Sequence, residues 1–184
     1  YFGKNINKII ELGAGAGHQA RTLCLSLPAA KYTIIDLPET LCFSYAHLSL
    51  CFPSKKILYV SSPADLEKRN EYDLVFIPAL FAPELAADDY DLFINTASMG
   101  EMRNQEISRW MNFIQNKIKV KHLFTLNRFL NVIDEAGQAY RKNSNTCSVS
   151  YDKLWDIINW ELEPLYCRCP YIDTLHSRYL EIVA

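Results

Sequence analysis

The sequence has almost no excess of charge and no long apolar stretch. It contains 19 Lys and Arg against 21 Asp and Glu, for a net charge of −2. Proteins that follow a phosphate backbone usually carry a basic face, so we expect no nucleic-acid partner. No apolar stretch approaches the roughly 20 residues of a membrane span, and no leader with a charged and then an apolar part opens the chain. We therefore predict no membrane span.

The six cysteines do not form a recognisable metal or redox motif. Cys24, Cys42 and Cys51 lie in apolar helical patterns, and Cys167-Arg168-Cys169 is not Cys-x-x-Cys. A zinc site needs about four ligands in recognisable pairs, and buried free cysteine behaves as a small hydrophobic residue. We predict reduced thiols, a cytoplasmic location and no metal. Asp91, Glu101 and His122 are available to a metal, but their spacing does not require one.

The composition is that of an ordinary globular domain. Apolar residues make up 49% of the chain and charged residues 22%. This length and balance predict a single domain over residues 1–184. The chain opens at Tyr1 almost directly on its first predicted strand. We expect it to be a fragment of a longer protein with a further N-terminal region.

A glycine-rich segment follows the first predicted strand. Glu11 ends an apolar run, and glycines occupy positions 13, 15 and 17 before a helical pattern begins near Ala16. Glycine permits a sharp turn and a close approach of the backbone to a ligand, and the next helix points unpaired N–H groups at the same place. This predicts a nucleotide-type pocket at the carboxyl end of the strand. His18 replaces the third glycine of the dinucleotide fingerprint, which disfavours NAD.

An acidic residue ends the second predicted strand, Lys31–Asp36. In a βαβ unit, a carboxylate in this position accepts hydrogen bonds from the two ribose hydroxyls of a nucleoside. A helix cap or turn is the alternative role for Asp36. Leu37 follows it, and Pro38 suits the first turn of the next helix.

The rest of the chain alternates strands and helices. Two segments, 71–78 and 89–96, each combine a polar turn, Tyr-Asp-Leu and an apolar run, and Lys56–Val60 is another strand candidate. We assign Asp91–Thr96 as the fourth core strand, and either of the other two can be the third. Asn104–Lys119 is a predicted amphipathic helix. The remaining predicted elements are a strand at 121–126, a polar loop at 134–150, a helix at 149–162 and closing strands at 165–172 and 179–184.

Three blocks carry a family resemblance. Glu11–Gly17 resembles motif I of the class I S-adenosylmethionine-dependent methyltransferases. Together with Ile35–Thr40 and Phe93–Met102, it resembles in order and spacing a family of sugar O-methyltransferases, over most of the chain. The resemblance implies a Rossmann-like α/β fold. Its mostly parallel sheet would have seven or eight strands, helices on both faces and an antiparallel C-terminal strand. It also implies methyl transfer from S-adenosylmethionine to a hydroxyl of a sugar or sugar nucleotide.

The resemblance and the chemistry together suggest the site residues. A hydroxyl is a weak nucleophile at neutral pH, so a general base is expected. Glu101, beyond the fourth core strand, is the first candidate, and His18 is the second because imidazole titrates near neutrality. Ser98 and Asn127 are candidates to hydrogen-bond acceptor hydroxyls, and Arg128 to hold an acidic sugar. The expected cofactor-binding residues are Glu11, Gly13, Ala14, Gly15, Gly17, Asp36, Leu37 and Asn95.

Absent motifs limit the reaction type. Asn95-Thr96-Ala97-Ser98 stands where methyltransferases of exocyclic amines carry Asn/Asp-Pro-Pro-Tyr/Phe, and the Pro-Cys pair of cytosine-C5 enzymes is missing. Two alternatives to a sugar methyltransferase stay open. One is the same reaction on another small hydroxylated metabolite. The other is a methyltransferase-like module that binds without catalysis.

Overall fold

The computed structural model describes residues 6–87, 90–128, 155–162 and 179–183. The strands in these residues are β1 (Lys8–Leu12), β2 (Lys31–Asp36), β3 (Ile57–Tyr59), β4 (Leu74–Pro78), β5 (Leu92–Thr96), β6 (His122–Arg128), β7 (Asn159–Leu162) and β8 (Tyr179–Val183). The α-helices are α1 (His18–Ser26), α2 (Pro38–Cys51) and α3 (Asn104–Asn112). Three 3₁₀ segments, Pro63–Glu71, Ala79–Glu84 and Met99–Glu101, and a π-helical segment, Phe113–Ile118, complete the helical structure of this part. None of the helices described is both long and apolar enough to cross a bilayer.

The eight strands form one sheet in the order β3-β4-β2-β1-β5-β6-β8-β7. In this order, the first six strands, from β3 to β6, are mutually parallel. Strand β8 runs antiparallel to both of its neighbours, β6 and β7. From β1 the chain first builds the sheet towards β2 and β4, and it then returns to place β5 on the other side of β1. The strand order therefore reverses between β1 and β5, where open α/β sheets bind their ligands.

The pairing of β2 identifies the third core strand. Leu74–Pro78 pairs with β2 along its whole length, from Tyr32 opposite Leu74 to Asp36 opposite Pro78. Ile57–Tyr59 pairs with β4 and lies at the edge of the sheet. The segment that ends at Pro78 is thus the third core strand. The other candidate, β3, is an additional strand at the edge of the sheet.

Alternate side chains of the sheet enter two separate cores. Ile9 packs with buried residues of α1 and α2, including Ala20 and Leu48. Its neighbour Ile10 belongs to the opposite core, together with Ile107 of α3. Because successive strand residues point to opposite faces, one β-strand supplies both layers. The predicted arrangement of helices on both faces of the sheet is confirmed.

The helix predicted over Asn104–Lys119 is present as α3 followed by the π-helical segment Phe113–Ile118, and it ends at Lys119 with a positive φ of 57°. The sequence spacing predicts an apolar stripe of Ile107, either Met111 or Trp110, Ile114 and Ile118. Ile107, Met111, Ile114 and Ile118 are buried, and Trp110 is half-buried. The first helix begins at His18, later than the predicted Ala16, because Gly17 adopts a left-handed conformation that ends the preceding loop.

The helix predicted over 149–162 is wrong where the structure describes it. Residues 155–158 have no helical structure, and Asn159–Leu162 is strand β7. Its backbone pairs with β8, from Asn159 opposite Val183 to Leu162 opposite Leu180. This long-range pairing overrides the local helical spacing of apolar residues. The strand predicted at 165–172 and the loop at 134–150 lie outside the described residues.

Candidate functional site

A pocket of about 590 Å³ lies at the carboxyl ends of β1, β2 and β5, at the reversal of strand order. The predicted site residues that line it are Gly13, Gly15, Asp36, Leu37, Ser98 and Glu101. Ala79, directly after β4, also reaches it. Ser61-Ser62 and Pro78–Phe81 follow the two candidates for the third core strand, and of these residues only Ala79 is among the described lining residues.

All three glycines of the loop have positive φ, but their surroundings differ. A Cβ on Gly13 would lie 2.2 Å from Ser98 Oγ and 2.3 Å from Ser98 Cβ, and a Cβ on Gly17 would lie 3.1 Å from Leu48 Cδ1. A Cβ on Gly15 would meet no atom within 4 Å. Gly13 therefore lets β1 approach the turn after β5, and Gly17 lets α1 pack on α2. Of the three, only Gly15 has free space where a Cβ would lie, and we call this its open side, which faces the pocket.

The Asp36 carboxylate joins the end of β2 to the glycine loop. Oδ2 accepts a hydrogen bond from the Gly15 amide at 3.0 Å, and Oδ1 accepts one from the Leu37 amide at 2.8 Å. Burial raises the pKa of Asp36, while the amides of Leu37, Gly15 and Ala14 partly counteract the rise. The carboxylate lines the pocket and has acceptor capacity beyond these bonds, since two carboxylate oxygens offer about four lone-pair sites.

Glu11 lies beneath the loop and is not among the residues that line the pocket. It is 1% exposed, and its Oε2 accepts a hydrogen bond from the Tyr32 hydroxyl at 2.9 Å. Burial raises the pKa of Glu11 to about 7, the Tyr32 hydrogen bond opposes the rise, and the nearby charge of Asp36 adds to it. The expected contact of Glu11 with a cofactor gains no support from this position.

A buried polar network ties the ends of β1, β5 and β6 together. The Asn95 amide nitrogen donates to Leu12 O at 2.8 Å, and Ser98 Oγ donates to the same carbonyl at 3.1 Å. Asn95 Oδ1 accepts from the Asn127 side chain at 2.9 Å, and Asn127 Oδ1 accepts from the Gly100 amide at 3.1 Å. Asn95 and Asn127 are 0% and 1% exposed and do not line the pocket. Their geometry indicates positioning of the turn after β5, not ligand contact.

The two candidate bases occupy different places. Glu101 ends the 3₁₀ turn after β5 and lines the pocket with an exposed side chain. His18 is exposed and does not line the pocket. Its ring packs edge-on to that of His47, with 5.2 Å between ring centroids. The geometry therefore favours Glu101 over His18 as the base. Arg128 ends β6, and its side chain lies outside the described part of the structure.

Sequence reasoning missed several lining residues. Thr96 ends β5, and its buried Oγ1 has no hydrogen-bond partner in the described structure. Ala97 follows with a φ of 65°, a strained conformation for a residue with a Cβ. Met102, Glu106 and Trp110 also line the pocket. Glu106 and Trp110 are one helical turn apart on α3, and this spacing is the sequence signal that could have paired them.

Within the ranges that the structure describes, no three His, Cys, Asp or Glu side chains gather closely enough to hold a metal ion.

No protein-family model and no curated protein sequence matches this chain. Solved structures do match. The mitomycin 7-O-methyltransferase MmcR aligns with a TM-score of 0.60 and 11% identity over 100% of this chain and 50% of its own. Human N-acetylserotonin methyltransferase in complex with SAM aligns with a TM-score of 0.52 and 13% identity over 98% of this chain and 48% of its own.

Magnesium protoporphyrin IX methyltransferase from Synechocystis PCC 6803, solved with bound SAH, aligns with a TM-score of 0.60 and 11% identity over 98% of this chain and 75% of its own. The chain spans about half the length of the first two enzymes. At these identities the similarity establishes the fold. The chain has the Rossmann-like class I methyltransferase fold, with a mostly parallel sheet and an antiparallel C-terminal strand, as the sequence predicted.

The glycine environments predict unequal effects of adding one methyl group. Gly15→Ala is expected to cost about 1–2 kcal/mol of folding free energy, the strain of a left-handed residue with a Cβ. Gly13→Ala adds a steric clash with Ser98, which raises the cost to about 3 kcal/mol or more. Urea unfolding of both variants measures the difference. Equal costs at the two positions would contradict the close contact between Gly13 and Ser98.

The burial of Glu11 predicts that a neutral residue in its place makes the folded protein more stable, by an amount that depends on pH. Its pKa is about 7 in the folded protein and near 4.5 when exposed. The folded state therefore retains a proton that the unfolded chain releases, so this group destabilises the fold increasingly as pH rises from 4.5 to 7. Glu11→Gln removes the cost and keeps an acceptor for Tyr32. Its stability relative to wild type should rise by about 2 kcal/mol from pH 5 to pH 8.

Urea unfolding at the two pH values measures the Glu11 effect, with exposed Glu84→Gln as a control for the loss of one negative charge. A Glu11→Gln difference that stays constant, or falls, between pH 5 and pH 8 would show that Glu11 is ionised in the folded protein.

Proposed function

We propose that this chain binds S-adenosylmethionine and transfers its methyl group to a hydroxyl of a small molecule. One observation carries the proposal. The open side of Gly15, the Asp36 carboxylate and Glu101 meet in a single pocket at the strand-order reversal of a class I methyltransferase fold. The neighbouring structures solved with SAM or SAH support the choice of cofactor.

The residues present fit this cofactor. The space beside Gly15 admits a ligand close to the backbone, and the Asp36 carboxylate is placed to accept from ribose hydroxyls. Leu37 and Ala79 offer apolar surface to an adenine on the β2 and β4 side. The partnerless Thr96 hydroxyl offers a further hydrogen bond, since an unsatisfied buried hydroxyl costs about 1–3 kcal/mol.

The chain's own role in the reaction is to orient the acceptor and remove a proton. When bound in the pocket, S-adenosylmethionine would supply an electrophilic methyl group, which would pass from its sulfonium sulfur to the acceptor oxygen as the C–S bond breaks and leave S-adenosylhomocysteine. Glu101 takes the hydroxyl proton on its carboxylate, and the Asn127–Gly100 hydrogen bond holds the turn that carries Glu101.

We further propose that the acceptor is a sugar or a sugar nucleotide. The support is the resemblance of Phe93–Met102 to the sugar O-methyltransferase family, together with the position of this block in the pocket, where it supplies Thr96, Ser98 and Glu101. The pocket volume of about 590 Å³ lies within the range of small-molecule sites, roughly 300–1,000 Å³.

Calorimetric titration with S-adenosylhomocysteine tests the cofactor site. Wild type should bind, and Asp36→Ala should weaken binding by about 1–3 kcal/mol because charge-assisted hydrogen bonds to the ribose are lost. NADH in a parallel titration should not bind. A thermal melt confirms that each variant is folded. Absence of S-adenosylhomocysteine binding by folded wild type would remove the methyltransferase proposal.

Replacement of Glu101 tests the proposed base. With a hydroxylated acceptor that supports turnover, Glu101→Gln should lower kcat at least about 100-fold, because positioned general bases contribute at least this much. The Kd for S-adenosylhomocysteine should stay as in wild type. Exposed Glu67→Gln on the 3₁₀ segment Pro63–Glu71 controls for the loss of one carboxylate. If Glu101→Gln retained full kcat, another group must take the proton.

A further inference from the structure

The side of the pocket beyond β5 has an aromatic and acidic wall, formed by Glu101, Glu106 and Trp110. Glu106 and Trp110 stand one turn apart on α3, and Glu101 precedes the helix. Asp36 lies across β1, at the end of β2. In the order β2-β1-β5, Asp36, the proposed ribose contact, and this wall therefore lie on opposite sides of the pocket. The wall is left free to contact the acceptor.

Packing fixes the Trp110 ring. Trp110 is half-buried and packs against the core of α3. Its ring stands at 89° to that of Phe113, with 5.6 Å between centroids. An aromatic residue that is held in this way and also lines a pocket offers a flat apolar surface to a ring-shaped ligand.

The charged side chains that line the described part of the pocket all carry the same sign. Among its described lining residues, Asp36, Glu101 and Glu106 are acidic, and none is Lys, Arg or His. Arg109 Nη1 approaches Glu106 Oε2 at 3.3 Å, with the Arg109 side chain 75% exposed and the Glu106 side chain 44% exposed, and Arg109 does not line the pocket. An anionic acceptor would meet these carboxylates, whereas neutral hydroxyls can donate hydrogen bonds to them.

We propose, building on the function above, that the acceptor is an uncharged hydroxylated ring, a neutral glycoside, and that it stacks on Trp110 and donates hydrogen bonds to Glu106. Of the two acceptor classes proposed above, this proposal keeps the sugar and rejects the sugar nucleotide, because the pyrophosphate of a nucleoside diphosphate sugar, like the carboxylate of a uronic acid, would meet Asp36, Glu101 and Glu106. Trp110 and Glu106 thus determine acceptor specificity. The earlier expectation that Arg128 holds an acidic sugar leads to the opposite preference, so one experiment separates the two.

The experiment uses matched sugar pairs that differ by one carboxylate. Methyl glucoside and methyl glucuronide, and methyl galactoside and methyl galacturonide, are incubated with S-adenosylmethionine, and release of S-adenosylhomocysteine is followed. UDP-glucose is added as a diphosphate probe. In the pair that is methylated faster, the neutral sugar should have a KM at least about tenfold lower than the anionic sugar, since like charges at a binding surface suppress wrong partners. Preference for an anionic member or for UDP-glucose would overturn the proposal.

Substitutions of Glu106 and Trp110 test whether these two residues cause the preference for neutral sugars. Glu106→Gln should narrow the gap in KM between neutral and anionic sugars, whereas the remote Glu67→Gln should leave it unchanged. Trp110→Ala should raise KM for the neutral sugar about tenfold, with a smaller effect on kcat, because the sugar ring loses the flat apolar surface on which one of its faces is buried. Trp110→Phe should restore most of the loss. A variant that only unfolds would also lose S-adenosylhomocysteine binding.

The cofactor titration separates this proposal from the one that it builds on. If S-adenosylhomocysteine binds but no sugar of either kind is methylated, the neutral-glycoside acceptor is wrong and the cofactor site stands. If S-adenosylhomocysteine does not bind to the folded protein, the methyltransferase proposal itself fails.

Discussion

The shape of the pocket depends on one buried amide, that of Asn95. It is 0% exposed and joins three strands, through Leu12 of β1, its own strand β5 and Asn127 of β6. The same side chain accepts from the Met99 amide at 3.2 Å and donates to Ser98 Oγ. Buried polar groups are stable only when they are satisfied, so this network allows one arrangement of the turn after β5. Gly13 completes the arrangement, because only a residue without Cβ fits against Ser98.

A second constraint acts on the other side of β1. The Asp36 carboxylate accepts hydrogen bonds from the Gly15 and Leu37 amides, so the protein's own groups fix the glycine loop against β2. Together the Asn95 network and Asp36 hold the two walls of the pocket at the point of strand-order reversal. The walls are therefore preorganised, and a ligand need not supply the free energy to order them.

The local sequence predicted the helices, strands and loops well, but it predicted poorly which strands pair and which way strand side chains point. The glycine loop, the acidic residue that ends β2 and the apolar stripe of α3 were evident because each depends on neighbouring residues. Lys56–Val60 and 71–78 have similar strand patterns, and only the pairing with β2 identifies the core strand. Asn95 and Asn127 were expected to face ligand because they lie at or near the carboxyl ends of strands. Side chains alternate between faces, however, and these two point into the fold.

The residues missed by sequence analysis explain why acceptor chemistry is harder to infer than cofactor chemistry. The proposed cofactor side is built from backbone conformation and one carboxylate contact, and both leave a compact sequence motif. The proposed acceptor wall uses Glu106 and Trp110 on a helix whose adjacent face fills the core with Ile107 and Met111. In the sequence, Trp110 resembles one more apolar residue of that stripe. Only the packing of α3 beside β5 shows that the helix serves the core and the pocket at once.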